Sequence, residues 1–360
     1  MAKAIALYSG GLDSTLAILV LMRQKIEVTA VTFLTHFGCD ISDKSSCSKN
    51  PFAASHKFGF EVKLCHLAGK FIEIVKNPKF GHGKNMNPCI DCRILMLKEA
   101  KEFMKMSGAD FIITGEVPGQ RPMSQRRDTF PKIDREADVE GYVLRPLSAR
   151  LLKPTIIEQM GIVDRERLCD FHGRSRKPQM ALAKKMGLTE YPMPAGGCLL
   201  TDPLYSYRLR ELLSYNLHPS LKDINLLRIG RHFRISDKCR IVVGRDENEN
   251  NTIQSLAENR DYLLWVDEFG SPLTIICANA DGDQSTDEAD EDLKLAASIC
   301  ARYSDAKRLP VVEVTVLGKG SEFKIHITPA TSTIVDSFRI QSEKLADKKA
   351  ANAALQKTLT

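Results

Sequence analysis

The sequence predicts an α/β protein, a doubly wound parallel sheet followed by a smaller α+β domain. Three observations carry that expectation. The chain opens on a short apolar run, a glycine turn and an apolar helix. A second apolar run follows at the spacing of a βαβ unit. Beyond residue 202 the pattern changes to short strands around one long helix.

Residues 4–8 read as a buried strand, residues 14–22 as a helix packed on a sheet, and residues 27–37 as the next strand. Between the first two lies Ser9-Gly10-Gly11-Leu12-Asp13-Ser14. Two glycines allow a tight turn and close approach to an anion. Ser14 is expected to cap the helix, whose first N–H groups would face the same anion. This phosphate cradle is not a Walker A loop, because no Gly-Lys-Ser/Thr follows. Further on, residues 240–243, 262–266, 273–277 and 311–316 read as strands and residues 291–303 as a helix.

With 360 residues, 43% hydrophobic and 27% charged, the chain has room for two cores. No apolar leader and no run of about 20 apolar residues is present, so neither secretion nor a membrane span is expected, and the expected compartment is the cytoplasm. Ten cysteines then read as thiols or metal ligands rather than disulfides. The net charge of +6 suits a polyanionic partner. Basic residues cluster at 121–153, 174–185 and 228–234, and acid is concentrated at 281–292, which reads as a solvated loop. Each basic cluster alone is also what a solvated helix face would show. No H-E-x-x-H zinc pattern and no G-x-G-x-x-G methyl-donor loop occurs.

Cys89 and Cys92 stand three apart after an Asn-Pro turn. Alone, the pair fits half a zinc site, a redox couple or a sulfur-handling site, although a zinc ribbon would repeat the spacing and this chain does not. Cys65 and Cys277 lie in strand-like runs and read as core, whereas Cys39 and Cys47 flank a Ser/Lys-rich loop.

The S-G-G-x-D-S loop after the first strand resembles the signature of the PP-loop ATP pyrophosphatases, the adenine nucleotide alpha hydrolase-like fold. That resemblance implies cleavage of ATP between the α and β phosphates and adenylation of a substrate oxygen. It assigns nucleotide contacts to Ser9, Gly10, Gly11, Leu12, Asp13 and Ser14, to Thr32, Phe33 and Leu34 beside the adenosine, and to Gly115. Within that group, "MNPCIDC", "FIITGEVPGQRPMSQ", "RPLSARLLKPTI" and "PAGGCLLTD" follow the order seen in the tRNA thiouridine synthases, MnmA-like and ThiI-like. The likeness covers about residues 3–205 and implies Asp13, Cys92 and Cys198 as catalytic residues.

MnmA-like enzymes commonly have Asp where this chain has Cys89. Three cysteines resemble instead the thiolases of the same superfamily that hold a [4Fe–4S] cluster by three thiolates, which implies Cys89, Cys92 and Cys198 as ligands and one iron open to hydrosulfide. The competing reading is a persulfide relay from Cys198 with Cys92 resolving it. Either way the resemblance implies ATP, Mg²⁺, a tRNA and a sulfur donor, hydrosulfide or a persulfide carrier. The expected reaction adenylates a uridine carbonyl oxygen and replaces it with sulfur. The alternatives are a sulfur insertase acting on a small molecule and a non-catalytic RNA- or ribosome-binding protein with a vestigial loop.

Residues 238–318 resemble the NFACT-R RNA-binding module in Val-Gly-Arg, the Leu-Trp strand, the Gly-Ser-Pro turn and the Ala-Ala-Ser helix, though Val266 and Asp267 stand where a His is usual. Gly244, Arg245 and Asn248 are the RNA contacts it suggests. The expected organisation is a PP-loop domain at 1–205, a basic helical connector at 206–237, an RNA-binding domain at 238–330 and a helical or frayed tail at 331–360. No oligomeric state follows from the sequence.

Overall fold

The computed structural model describes residues 1–37, 52–192, 198–277 and 286–341. Cys39, Cys47, residues 194–197 of the second cysteine segment and the tail beyond 341 lie outside the described residues. The chain divides into two compact units, Met1–Thr201 and Asp202–Thr360. Among the described residues no helix is long and apolar enough to cross a membrane.

The first unit contains β1 (Lys3–Leu7), α1 (Leu12–Met22), β2 (Glu27–Leu34), α2 (Phe52–Phe58), β3 (Glu61–His66), α3 (Ala68–Lys76), α4 (Cys89–Ser107), β4 (Phe111–Thr114), α5 (Thr129–Glu136), β5 (Val143–Leu144), α6 (Ile156–Gln159) and α7 (Lys177–Met186). Its sheet has the order β3-β2-β1-β4-β5, and every pairing is parallel. The central strands β1 and β4 are apolar because helices cover both faces. The expected α/β class is present, with β1 paired to both β2 and β4. The chain leaves β1 in opposite directions on its two sides, so a crevice opens at the carboxyl ends of these strands. Helix α1 is buried along nearly its whole length and packs against α7 as well as the sheet.

The second unit contains α8 (Pro203–Tyr215), α9 (Leu221–Leu226), β6 (Arg231–Arg234), β7 (Arg240–Val243), α10 (Glu247–Leu256), β8 (Tyr262–Trp265), β9 (Thr274–Cys277), α11 (Thr286–Tyr303), β10 (Val312–Gly318), β11 (Ser321–Ile327) and α12 (Ser332–Phe338). Its antiparallel sheet has the order β11-β10-β8-β9-β7-β6. Side chains alternate between two cores. Ile241, Val243 and Ile276 join Ala297 and Cys300 of α11, while Val242, Ile275 and Cys277 join Leu226 of α9 and Ile253 of α10.

Two local expectations change. Residues 231–234, read as connector, form the edge strand β6 paired with β7. Residues 286–292 of the acidic stretch belong to helix α11 rather than to a loop. Acidic side chains in a helix's first turns are stabilised by its dipole, which is why so charged a stretch can be helical.

Candidate active site

The loop after β1 turns through Gly10, whose φ of +69° lies in the left-handed region. Helix α1 begins at Leu12, with Gly11 as an N-cap that has no side-chain cap hydrogen bond. Its first N–H groups thus remain open to an external anion. Ser14 is not the cap, because the helix starts two residues before it. Its hydroxyl donates to Gly11 O at 3.0 Å and accepts from Ser9 N–H at 3.3 Å, holding the loop in shape. Leu12 sends its side chain into the core, so only its backbone faces the loop's mouth.

Gly115 follows β4 and meets this loop backbone to backbone. A Cβ there would lie 2.6 Å from both the Asp13 carbonyl carbon and the Ser14 nitrogen. Beyond it, Gln120 donates its amide N–H to Asp13 Oδ2 at 2.9 Å. Asp13 Oδ1 is buried without a hydrogen-bond partner, and so are Gln120 Oε1, Arg176 Nε, both amide atoms of Gln179 and the Thr32 hydroxyl. Burial raises the Asp13 carboxyl above its ordinary value, while Gln120 and the guanidinium groups of Arg176 and Arg121 pull it back. Leaving so many buried polar atoms unpaired is costly. Those of Gln120, Gln179 and Arg176 lie near Asp13 beside an open helix terminus, an arrangement that suits a ligand with both donors and acceptors. Of the residues expected beside adenosine, Thr32 and Phe33 are buried and Leu34 is partly exposed.

The first cysteine segment is a helix start. Cys89 is the first residue of α4 after Pro88, and Cys92 follows one turn later. Asp91 between them accepts backbone N–H bonds from Lys79 at 2.9 Å and Phe80 at 3.1 Å, fastening the preceding loop. Asn87 donates to Cys89 Sγ at 3.0 Å.

The second cysteine segment is tied to the first. Met86 N–H donates to Leu200 O at 3.1 Å, and the Asn85 amide donates to Thr201 O at 2.7 Å. It is also tied to the end of β2, since Cys198 Sγ and Leu199 N–H both donate to Phe37 O, at 3.2 and 3.0 Å. Electrostatics agree that the three thiols are neighbours. Although Cys92 keeps some exposure, desolvation at its sulfur pushes the thiol up to about 12, and negative charge on Cys198 or Cys89 raises it further. Burial also raises Cys89, against the pull of Arg93 and Arg121. Arg121 is thus close enough to lower both the Asp13 carboxyl and the Cys89 thiol electrostatically.

The expected iron–sulfur ligand set is not assembled: among the described residues no three His, Cys, Asp or Glu side chains are arranged to hold a metal ion. The thiols are neighbours without being gathered as ligands. By contrast, the unpartnered Asp13 oxygen suits a hydrated cation bridging to phosphate.

Sequence reasoning placed Arg121 and Arg176 in basic clusters and Gln120 in a quoted motif without assigning any of them to Asp13, and it did not single out Gln179. Arg145 is buried, donates to both oxygens of Asp134 at 2.7 and 2.9 Å and to Glu116 at 3.1 Å, and lies over Phe130. Glu116 also meets Arg93 at 3.0 Å, so this network braces α4, the cysteine helix, against the segment after β4.

Residues 1–162 match the family described as "Thiamine biosynthesis protein (ThiI)", and residues 230–339 match "NFACT protein RNA binding domain". The tRNA-specific 2-thiouridylase MnmA of Leptospira interrogans is 27% identical over 199 residues, 52% of this chain and 49% of the relative. A probable tRNA sulfurtransferase of Thermococcus kodakarensis is 29% identical over 154 residues, 40% of this chain and 36% of the relative. The chain thus spans about half the length, or less, of these curated relatives. A solved 4-thiouridine synthetase–RNA complex with bound ATP aligns at 20% identity with a TM-score of 0.33, covering 52% of each chain. Residues 1–162 are therefore similar to the ThiI family and residues 230–339 to the NFACT RNA-binding family, within one polypeptide.

Proposed function

We propose that this chain is an ATP-dependent tRNA sulfurtransferase that adenylates a uridine carbonyl oxygen and replaces it with sulfur. What supports the reading is that the Cys198 segment is hydrogen-bonded to the turn before Cys89, with Arg121 within electrostatic reach of both Cys89 and the uncapped loop at Asp13. The names of the relatives, 2-thiouridylase and tRNA sulfurtransferase, supply the substrate class.

The open N–H groups of α1 would receive the phosphates of ATP, and Asp13 would help hold Mg²⁺, which would supply charge neutralisation of the phosphates. The uridine oxygen attacks the α-phosphorus, pyrophosphate leaves, and the ring carbon becomes electrophilic. Arg121 and Arg176 offset negative charge on the departing group. In the relay, the terminal sulfur of a persulfide on Cys198 attacks that carbon, and AMP leaves with the original oxygen. Cys92 then attacks Cys198 Sγ, the bond from Sγ to the transferred sulfur breaks, the thiouridine leaves with that sulfur as the Cys92–Cys198 disulfide forms, and an external dithiol reductant restores both thiols. A cluster on Cys89, Cys92 and Cys198 is the second reading. Metal coordination deprotonates a thiol outright, and Cys92, pushed up to about 12, is a poor nucleophile as it stands.

The test incubates the full chain, purified anaerobically, with tRNA, ATP, Mg²⁺ and a sulfide or persulfide donor, then reads pyrophosphate release and tRNA thionucleosides by mass spectrometry. Thiouridine formation that is lost in Cys198→Ser, with pyrophosphate release retained, is expected. Pyrophosphate release without any thionucleoside would favour the small-molecule alternative, and no release at all would overturn the proposal. Iron content of the same preparation separates cluster from relay.

A further inference from the structure

Although acidic residues outnumber basic ones in the second unit, one end of the β6/β7 pair gathers arginines locally. Gly230-Arg231 opens β6 and Gly244-Arg245 follows β7, and because Arg231 pairs with Val243 the two Gly-Arg steps meet at one end of the strand pair. Arg339 is brought to the same strand by the Phe233–Arg339 bridge and by the Ile340 N–H bond to His232 O at 2.9 Å. Arg208 of α8 reaches in from below, donating to Leu227 O at 2.9 Å and Gly230 O at 3.0 Å.

The carboxylates nearby are already engaged. Glu249 takes Arg245 side-on at 2.5 and 2.9 Å and also accepts the N–H groups of Gly230 and Arg245. Glu211 takes Arg234 at 2.6 Å and lies 3.8 Å from Arg240. Among the described residues, no carboxylate lies within ion-pair distance of Arg208, Arg231 or Arg339. Arg208 and Arg240, only 8% and 3% exposed, also leave guanidinium nitrogens without acceptors.

A purely structural role explains part of this. Arg208 caps the carbonyls after α9, and Arg231 donates to Gly244 O at 3.1 Å while its guanidinium lies over the Tyr303 ring. It does not explain the excess. Burial and the neighbouring Arg240 hold Arg208 down to about 10, and Arg339 and Arg245 likewise depress Arg231. An anion placed among them would relieve repulsion that the fold otherwise has to bear.

We propose that Arg231, Arg245 and Arg339, backed by Arg208, form a phosphate-binding site for an RNA backbone. Guanidinium forks match phosphate oxygens in geometry, and an edge strand with arginines on both sides leaves a strip along which a phosphodiester chain can run. The segment matching the NFACT RNA-binding family begins at Gly230 and ends at Arg339, so both its ends meet here. The site is independent of the sulfur chemistry and would survive its failure.

The experiment titrates the full chain with a labelled single-stranded oligoribonucleotide across 50–300 mM salt, and separately follows thermal unfolding with inorganic phosphate. The variants are Arg231→Gln and Arg339→Gln. Arg339 is the safer, since its guanidinium makes no described hydrogen bond, and Arg231→Lys keeps the charge if Arg231→Gln unfolds. RNA affinity reduced about tenfold per variant, with the salt slope lowered by about one, supports the backbone site. Unchanged RNA binding with lost stabilisation by phosphate would assign the arginines to free phosphate instead and overturn the RNA claim. Neither change, in variants that melt like the parent, would overturn the site altogether.

Discussion

Asp13 shows how one residue's surroundings set its chemistry. Its carboxyl is raised by burial, and the Gln120 hydrogen bond is the first of the contacts opposing that rise. A raised carboxyl protonates at higher pH than an ordinary one. Activity that needs the carboxylate is therefore lost, as pH falls, earlier than a solvent-exposed Asp would dictate. Gln120→Ala removes a donor that favours the charged form, so the acid limb of pyrophosphate release should move up by about one pH unit. The limb staying in place would show that Gln120 does not govern Asp13. This pairing also marks where the sequence stops being readable. Ser9 to Ser14 stand together and announce a phosphate loop by their own spacing. Gln120, Arg121, Arg176 and Gln179 lie on two separate segments far along the chain, with no periodicity to link them, and only the crevice between β1 and β4 brings them to Asp13.

At the scale of elements, the crevice depends on how closely β4 can approach the phosphate loop. Gly115 permits contact that a methyl group would occupy, with 2.6 Å to the Asp13 and Ser14 backbones. Neither side of that contact is a flexible side chain, so one backbone has to move. Gly115→Ala should cost about 1–3 kcal/mol by overpacking and lower the melting temperature by several degrees. Pyrophosphate release should fall more steeply than stability, by roughly tenfold or more, because displaced N–H groups no longer fit the phosphates. Equal activity with parental melting would mean the loop yields freely. Apolar strands such as β1 and β9 were legible because burial on both faces writes a nearly unbroken hydrophobic run. Strands β6 and β11 were not, for the opposite reason. They are the sheet's edges, and Arg231, Arg234, Glu322 and Lys324 give them the composition of loops. The cysteine helix α4 was hidden by Pro88, which reads as a turn although proline is well tolerated just before a helix.

Across the whole molecule, the chain couples an open phosphate loop with a separate compact unit that carries a local cluster of arginines. If these perform the two halves of one task, they should fail differently. Substitutions at the phosphate loop remove interactions made as pyrophosphate departs, so they act on the chemical step. Substitutions at Arg231 or Arg339 remove contacts held equally before and during that step, so they act on capture of the nucleic acid. Steady-state kinetics with tRNA as the varied substrate should therefore separate them. Asp13→Asn should lower kcat at least a hundredfold while leaving the tRNA dissociation constant within about twofold. Arg231→Gln with Arg339→Gln should raise KM for tRNA about tenfold or more at near-physiological salt, with kcat and KM for ATP close to those of the parent. The KM effect should also shrink as salt rises, because counterions already compete for the same arginines. A fall in kcat from the arginine pair, insensitive to salt and not rescued by saturating tRNA, would place those residues in the reaction itself. The division of labour between the two units would then be wrong.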